Sequence, residues 1–496
     1  MSKKTKIAIV LVAVLALLAA AVIGYLHYQN EKVYNATYIV IDGVEYERAV
    51  TSLDFSGTGI TELDKLKELT TLQSLDLRGT GISIEQYKDL QAALPACSIF
   101  WSVPFQGTYY DSDIMVLDIT ALSGTDVDVI SCFSRLKAIR ATGCTDYDAL
   151  AALMERYPHI NVTYTVEFSG EQYVSYTDTL NIVNPDLDEI RSKIGYMPKV
   201  TTVYLTGTMP AKEDLLALKE DYPEITFGYD FEVFGIAVNS LDDFIDLSGI
   251  QFGSTEEVEA ILPYFYNLQQ VDMVNCGFSN DTMDALNKRY RDVKFVWTVN
   301  VCGLTLRTDA RYFMPVKYKV KSANASQCVN LKYCTDMEVI DLGHYGTSNV
   351  DFVEHMPNLK YLLLCDAYIT DLTAIGNCIS LEYLELFQSR VTDFWPLTNL
   401  TNLRDLNLAG VPCFIKEWSR EYGTFGDYTP LLQMTWLDRL WLQYNNLNKA
   451  TREELQEALP NTMMVFQHSS HTGGGFRFTP RYFEQRDIIG MYYGAA

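Results

Sequence analysis

Apolar residues recur along this chain as L-x-x-L-x-L at a fixed step of 22 residues. The triads Met337/Ile340/Leu342, Leu359/Leu362/Leu364, Leu381/Leu384/Leu386 and Leu403/Leu406/Leu408 sit in one register, as do Val50/Leu53/Phe55 and Leu72/Leu75/Leu77. A repeat of this length predicts a solenoid, because one short strand per coil cannot bury its apolar side until neighbouring coils stack on it. Successive strand residues point to opposite faces, so the positions between the leucines form columns on the other side. From the numbering, one column reads Val339, Tyr361, Tyr383, Asp405, Arg439, and the next reads Asp341, Leu363, Glu385, Asn407, Trp441.

A slower rhythm of 63 to 68 residues overlies the first, in the segments CSIFWSVPFQG, INVTYTVEFSG, ITFGYDFEVFG and VKFVWTVNVCG, which align on Gly107, Gly170, Gly235 and Gly303. Strict alternation predicts a long strand that stops at each glycine. A helical stretch such as DALAALMERYP precedes each one. The step from Leu403 to Leu437 is 34 residues, which predicts a looped-out insertion around CFIKEWSREYGTFGDY.

The N-terminus follows a different pattern. Lys3, Lys4 and Lys6 precede an uncharged run from Ile7 to Leu26. At ~1.5 Å per residue that run spans about 30 Å, the thickness of a bilayer's hydrocarbon core. A cleaved signal peptide is the competing reading, but its apolar region is shorter and ends at small residues, whereas here apolar chain continues past Ala19–Ala21. The predicted organisation is a cytoplasmic stub at 1–6, a transmembrane anchor at 7–26, a juxtamembrane stalk at 27–39, repeats at 40–468, and a cap or tail at 469–496. Lysines ahead of the span keep the N-terminus in the cytoplasm, so the expectation is a single-pass protein of the cell membrane with its C-terminal domain extracytoplasmic.

The formal charge of −24 repels nucleic acid and argues against it as a partner. Ten cysteines outside a membrane would usually suggest disulfides. Cys144 and Cys276, however, occupy the small inward slot that Thr58, Thr80, Thr208, Ser389 and Asn445 fill in other coils, and Cys97 occupies an apolar one. These three are expected as buried free thiols. Pairing of Cys328 with Cys334, or Cys365 with Cys378, stays open.

Little else points to chemistry. His468-Ser-Ser-His471 has no acid or cysteine beside it to complete a metal site. Gly473–Gly475 lacks the Lys-Ser/Thr of a phosphate loop. No Ser/His/Asp or Cys/His pairing stands at identifiable spacing, and nothing sets two carboxylates apart in pKa. The expectation is no enzyme, no metal and no cofactor.

The segment NLKYLLLCDAYITDLTAIGNC resembles bacterial internalin-type leucine-rich repeats, whose pattern runs L-x-x-L-x-L-x-x-N-x-I-x-D-I. Ile369/Thr370/Asp371/Leu372 and Val391/Thr392/Asp393/Phe394 match its I-x-D-I portion, while Thr, Ser or Cys mostly replaces the ladder asparagine. The resemblance implies an α/β leucine-rich repeat solenoid, curved, with parallel strands on its concave face, preceded by one transmembrane helix. It also implies a macromolecular ligand on that face and carries over no catalytic residue. The expected ligand surface is Tyr361, Tyr383, Glu385, Phe387, Asp405, Trp441 and Tyr444, since rigid aromatic area beside directional acceptors suits recognition. Strand propensity alone also accommodates exposed tyrosines. Trp418, Tyr422 and Phe425 either overhang the same face as a lid or fold back as a plug. Arg477, Arg481 and Arg486, set among Phe476, Phe478, Tyr482 and Phe483, either close the acidic coils or form a segment that a partner recognises. The function expected is membrane-anchored extracytoplasmic binding of a protein or polysaccharide at the cell surface, and the alternative is a passive envelope scaffold.

Overall fold

The structure, a computed structural model, describes residues 3–411, 427–445, 447–467 and 475–490. The expected loop residues Trp418, Tyr422 and Phe425 lie outside the described residues, as do His468, His471, Gly473 and Gly474. The chain divides into two compact units, Met1–Tyr229 and Asp230–Ala496.

The first unit begins with one helix, Lys3–Thr37, whose most apolar window has a mean hydropathy of 3.1 and is not buried against the rest of the chain. It is long and apolar enough to cross a membrane. The stretch read as a stalk is not extended: the helix runs on to Thr37, and residues 27–37 contain neither glycine nor proline to stop it.

Beyond the helix, the first unit is built from a recurring module. Two short parallel strands, such as Ser52–Asp54 and Ser74–Leu77, lead into a longer third strand, Ser98–Phe105. That strand stops just before its glycine, as expected, but the chain does not run on into a loop. It turns back into an antiparallel partner, Thr108–Asp111. The same construction recurs at Asn161–Phe168 with Glu171–Val174. At the turns Gln106/Gly107 and Ser169/Gly170 both central residues have positive φ, which is the tight two-residue turn that matches strand twist. Asp42/Gly43 repeats it 64 positions before Gly107, between Tyr38–Ile41 and Val44–Glu47, a further copy that the sequence reading missed.

The return strands after Gly107 and Gly170 each deliver a buried hydroxyl. Ser112 Oγ accepts from the Trp101 N–H at 3.0 Å, and Ser175 Oγ accepts from the Tyr164 N–H at 3.3 Å. The ten-residue helices Ile84–Ala93, Tyr147–Arg156 and Lys212–Asp221 cover the side away from the strand ladders, as the apolar pattern predicts, with Leu90, Leu150, Leu153, Leu215 and Leu218 turned inward.

The second unit repeats the module at Phe234/Gly235 and Cys302/Gly303, then changes character. From Tyr312 onward it forms one seven-stranded parallel sheet: Tyr312–Phe313, Val339–Asp341, Tyr361–Leu363, Tyr383–Glu385, Asp405–Asn407, Arg439–Trp441 and Met463–Val465. Cα pairing runs Val339↔Tyr361↔Tyr383↔Asp405↔Arg439, so the 22-residue column is the hydrogen-bond register. The chain leaves five of these strands through a left-handed residue at the same offset, His344, Asp366, Gln388, Gly410 and Tyr444. There the ladder continues, as in Asp366 N–H to Phe387 O at 2.7 Å.

The inward polar slot has a definite job. Ser389 donates to Leu364 O at 3.1 Å and Asn445 to Leu408 O at 2.8 Å, each reaching a carbonyl of the coil before. Cys276 does the same with Leu247 O at 3.2 Å. Thr58 and Thr80 donate instead to Phe55 O and Leu77 O of their own coil, both at 2.6 Å. This explains why small donors replace the ladder asparagine: a buried carbonyl left without a partner is costly. Cys97, Cys144 and Cys276 are buried free thiols, as expected, and Cys328, Cys334, Cys365 and Cys378 are free as well. The partner the fold brings to Cys328 is Cys302, with Sγ atoms 3.4 Å apart.

Candidate ligand-binding face

The seven expected residues do share one face of the seven-stranded sheet, but most of it is not open. Tyr361, Tyr383, Glu385, Asp405 and Trp441 are each at most 3% exposed, Phe387 is half-buried, and Tyr444 is exposed. What covers them is the chain's own C-terminal segment, a single turn at Phe476–Phe478 followed by the helix Pro480–Ile489. The described part of the tail thus lies across the strand columns, over Val339 through Trp441.

The tail is locally well specified. Thr479 caps the helix by accepting from the Tyr482 N–H, Pro480 occupies the first helical position, and Gly490 closes it in the left-handed conformation. An isolated ten-residue helix is marginal in water, so its order depends on the face beneath it.

Going along the tail, each side chain meets a different strand. Phe476 stacks on Phe387 with centroids 6.2 Å apart and meets Trp441 edge-on at 6.4 Å. Arg477 Nη2 lies 3.6 Å from Glu385 Oε1, a charge contact longer than a hydrogen bond. Arg481 Nη1 reaches Asp405 Oδ2 at 3.0 Å and Asp438 Oδ2 at 2.9 Å, while Arg439 holds the other oxygen of Asp405 at 3.3 Å. Tyr482 packs on Tyr383, and the Tyr383 hydroxyl donates to Phe476 O at 3.4 Å. Tyr361 donates to Glu484 at 2.9 Å. Ile489 completes an apolar cluster with Met314 and Val339, and Lys317 donates to its carbonyl at 2.6 Å.

Electrostatics follow from this burial. Desolvation pushes Glu385 up to about 7, opposed by the positive charge of Arg477 and reinforced by Asp341. Asp341 is raised by burial too, against a hydrogen bond from the Gly343 N–H. Burial and then the Glu484 carboxylate raise the Tyr361 hydroxyl, while burial alone dominates at Tyr383.

The fit is incomplete. Neither carboxylate oxygen of the fully buried Glu385 has a hydrogen-bond partner among the described residues, nor does either amide atom of Gln485, which is 1% exposed. Beside Phe476 and Arg477 a pocket of about 150 Å³ remains, walled by Phe387 and Tyr444 and floored by Cys365 and Gln443. A larger groove of about 510 Å³ lies on another side of the second unit, around Trp297 and Tyr333. Its cations are largely spoken for: Lys288 by Asp284 at 2.6 Å, Lys294 by Asp336, and Lys332 by the Tyr333 ring at 4.7 Å. Among the described residues no group of His, Cys, Asp and Glu is placed to hold a metal ion.

Sequence reasoning therefore found the face and offered the tail's arginines as partners for acidic coils, but did not place the tail on this face. Lys317, Met314 and Gln485 were not singled out, and no local signal marks them; they matter only because the tail docks there.

No protein-family model matches the sequence, and no curated protein matches it. Among solved structures, the chain is similar to internalin C2 of Listeria monocytogenes at 18% identity, covering 45% of this chain and 80% of that one, with a TM-score of 0.24. An internalin of the same organism matches at 12% identity over 86% of this chain and 90% of that one, also with a TM-score of 0.24. A leucine-rich-repeat protein of Leptospira interrogans matches at 14% identity over 84% and 96%, with a TM-score of 0.25. Likeness this distant says nothing of ligand or partner. This chain's own strand ladder displays stacked leucine-rich coils with their strands in parallel.

Proposed function

We propose that this chain is a membrane-anchored, extracytoplasmic recognition protein that binds a protein segment through the strand face of its second unit. One observation supports this above the rest: the helix Pro480–Ile489 is itself a protein segment, held on that face by ion pairs, tyrosine hydroxyls and stacked rings. The anchor is the helix Lys3–Thr37, with its leading lysines on the cytoplasmic side and the repeats outside.

The test uses the full chain in lipid nanodiscs, with and without Arg481→Ala, on arrays of peptides of the tail's length and on a glycan array. Peptides carrying arginines and aromatic residues are expected to bind the Arg481→Ala chain, and Asp405→Asn is expected to weaken them. Glycan binding without peptide binding would move the ligand to polysaccharide. Silence on both arrays would leave the passive scaffold.

A further inference from the structure

We infer that the C-terminal segment is a built-in competitor for this face: the ligand is a helical segment of another protein carrying aromatic-Arg-x-x-x-Arg-aromatic, and it enters by displacing residues 475–490. The inference rests on the reading of the face as a protein-binding site and names what that site takes.

The match supplies the ligand's chemistry. Phe476-Arg477 and Arg481-Tyr482 put two aromatics and two cations on one side of the segment, with the arginines four positions apart. The sheet answers with Glu385 for the first arginine and with Asp405 and Asp438 for the second. Phe387 and Trp441 take the leading ring, and Tyr383 takes the trailing one. Three strands of the sheet thus read a segment that has no repeat relationship to them.

The misfit argues that the tail is a substitute. A fully buried carboxylate that gets a charge 3.6 Å away and no hydrogen bond opposes closure, and so does a buried amide with neither atom paired. The unfilled pocket of about 150 Å³ beside Phe476 and Tyr444 has room for a bulkier ring or an added side chain. A segment that bonds Glu385, replaces Gln485 with an apolar residue and fills the pocket would gain on every count where the tail loses.

The tether decides between a foreign segment and a second copy. A tail attached to its own face acts at an effective concentration in the millimolar range, so an identical tail from another molecule has no advantage with which to replace it. Only a segment that fits better can win.

The experiment measures labelled peptide binding to the full chain in nanodiscs. The probes are the 475–490 sequence and the same peptide with Gln485→Leu. The expected result is little binding to the wild-type chain and at least about tenfold tighter binding once Arg477→Ala and Arg481→Ala loosen the tail. The Gln485→Leu peptide is expected to bind more tightly than the native sequence, and Asp405→Asn on the face to weaken both. A second protein covers the case where the double substitution harms folding: a protease site is placed at residues 468–474, so that the cut chain keeps every residue but its tail can leave. Once cut, it should exchange its tail for labelled peptide. A loosened or cut chain that still unfolds cooperatively and takes up no peptide overturns the inference. Should it nevertheless bind unrelated array peptides, the protein-binding reading survives without it. Equal binding to closed and loosened chains places the peptide elsewhere and also overturns it. Dimers that exchange tails would overturn the assignment to a foreign segment.

Discussion

Tyr361 donates its hydroxyl to Glu484 at 2.9 Å, joining a strand of the sheet to a helix 123 positions further along the chain. The bond sits at the middle of the covered face, with Tyr361 3% exposed, and its acceptor is a carboxylate. Hydrogen bonds to a charged group contribute about 1.5–3 kcal/mol. Tyr361→Phe keeps the ring and removes the bond. It is expected to speed amide hydrogen exchange across Tyr482–Gly490 by about tenfold or more while leaving exchange in the strands unchanged. Faster exchange in the strands with an unchanged tail would show that the contact does not hold the helix down.

Arg481 is bound more deeply into the sheet. Asp405 is fully buried and is flanked by Arg481 at 3.0 Å and Arg439 at 3.3 Å. Removing one partner from a buried pair leaves an undercompensated charge, at a cost of about 3–5 kcal/mol where no second cation helps. Arg439 stays, so Arg481→Ala should cost less than that range. Unlike Tyr361→Phe, it should lower the melting temperature of the second unit and not only free the tail. Adding Asp405→Asn should recover part of the loss. Strictly additive effects in that double-mutant cycle would mean the two side chains do not interact.

The division between what could be read and what could not follows the range of the interaction. Val339, Tyr361, Tyr383 and Asp405 are aligned by a step of 22 residues, Arg439 joins them after the 34-residue step, and the strands pair in that register because each coil's leucines must stack on the last. The hairpins were only half visible. Their second turn residue is always glycine, but the first is Asp42, Gln106, Ser169, Phe234 or Cys302, and only Asp42 gives a recognised turn pair. That the tail's arginines meet acidic coils was one of two readings the sequence offered, but the face they meet was not legible. Arg477 and Arg481 could be seen as cations and Glu385 and Asp405 as acids, yet no periodicity relates the two sets. A face that looked open on its own pattern is closed by an element outside that pattern.

Cys302 and Cys328 are free thiols brought together in a way that neither repeat predicts. Cys302 is the first residue of a tight turn, its N–H donates to Gln327 O at 3.1 Å, and its Sγ lies 3.4 Å from that of the buried Cys328. The contact lowers Cys302 and raises Cys328, so Cys302 is the thiolate that attacks first. With glutathione disulfide as oxidant, Cys302 displaces one glutathione thiolate and Cys328 then displaces the second, so that one disulfide is reduced as one forms. Non-reducing peptide mapping should find Cys302 linked to Cys328, lighter by two hydrogens. Cys334 and Cys378, pushed up to about 12 by burial, should stay reduced. Finding Cys328 linked to Cys334 instead would refute the assignment.

Glu385 makes closure of the face depend on pH, with a sign set by its burial. Covered by the tail, its carboxyl is raised to about 7 from an ordinary 4.5, chiefly by desolvation, with Arg477 opposing and Asp341 adding to the rise. The closed state therefore holds a proton that the open state has released between those two values. Its stabilising contribution is complete below about 4.5 and is lost as pH rises through about 7. One proton limits the slope to about 1.4 kcal/mol per pH unit. Protonation also lets the carboxyl donate a hydrogen bond, although Arg477 then loses its counter-charge. Hydrogen exchange in the tail helix, corrected for intrinsic rate, should slow as pH falls from 7.5 to 5.5, and Glu385→Gln should flatten most of that dependence, leaving the smaller part that comes from Asp341. An unchanged slope in Glu385→Gln would move the titration to another group.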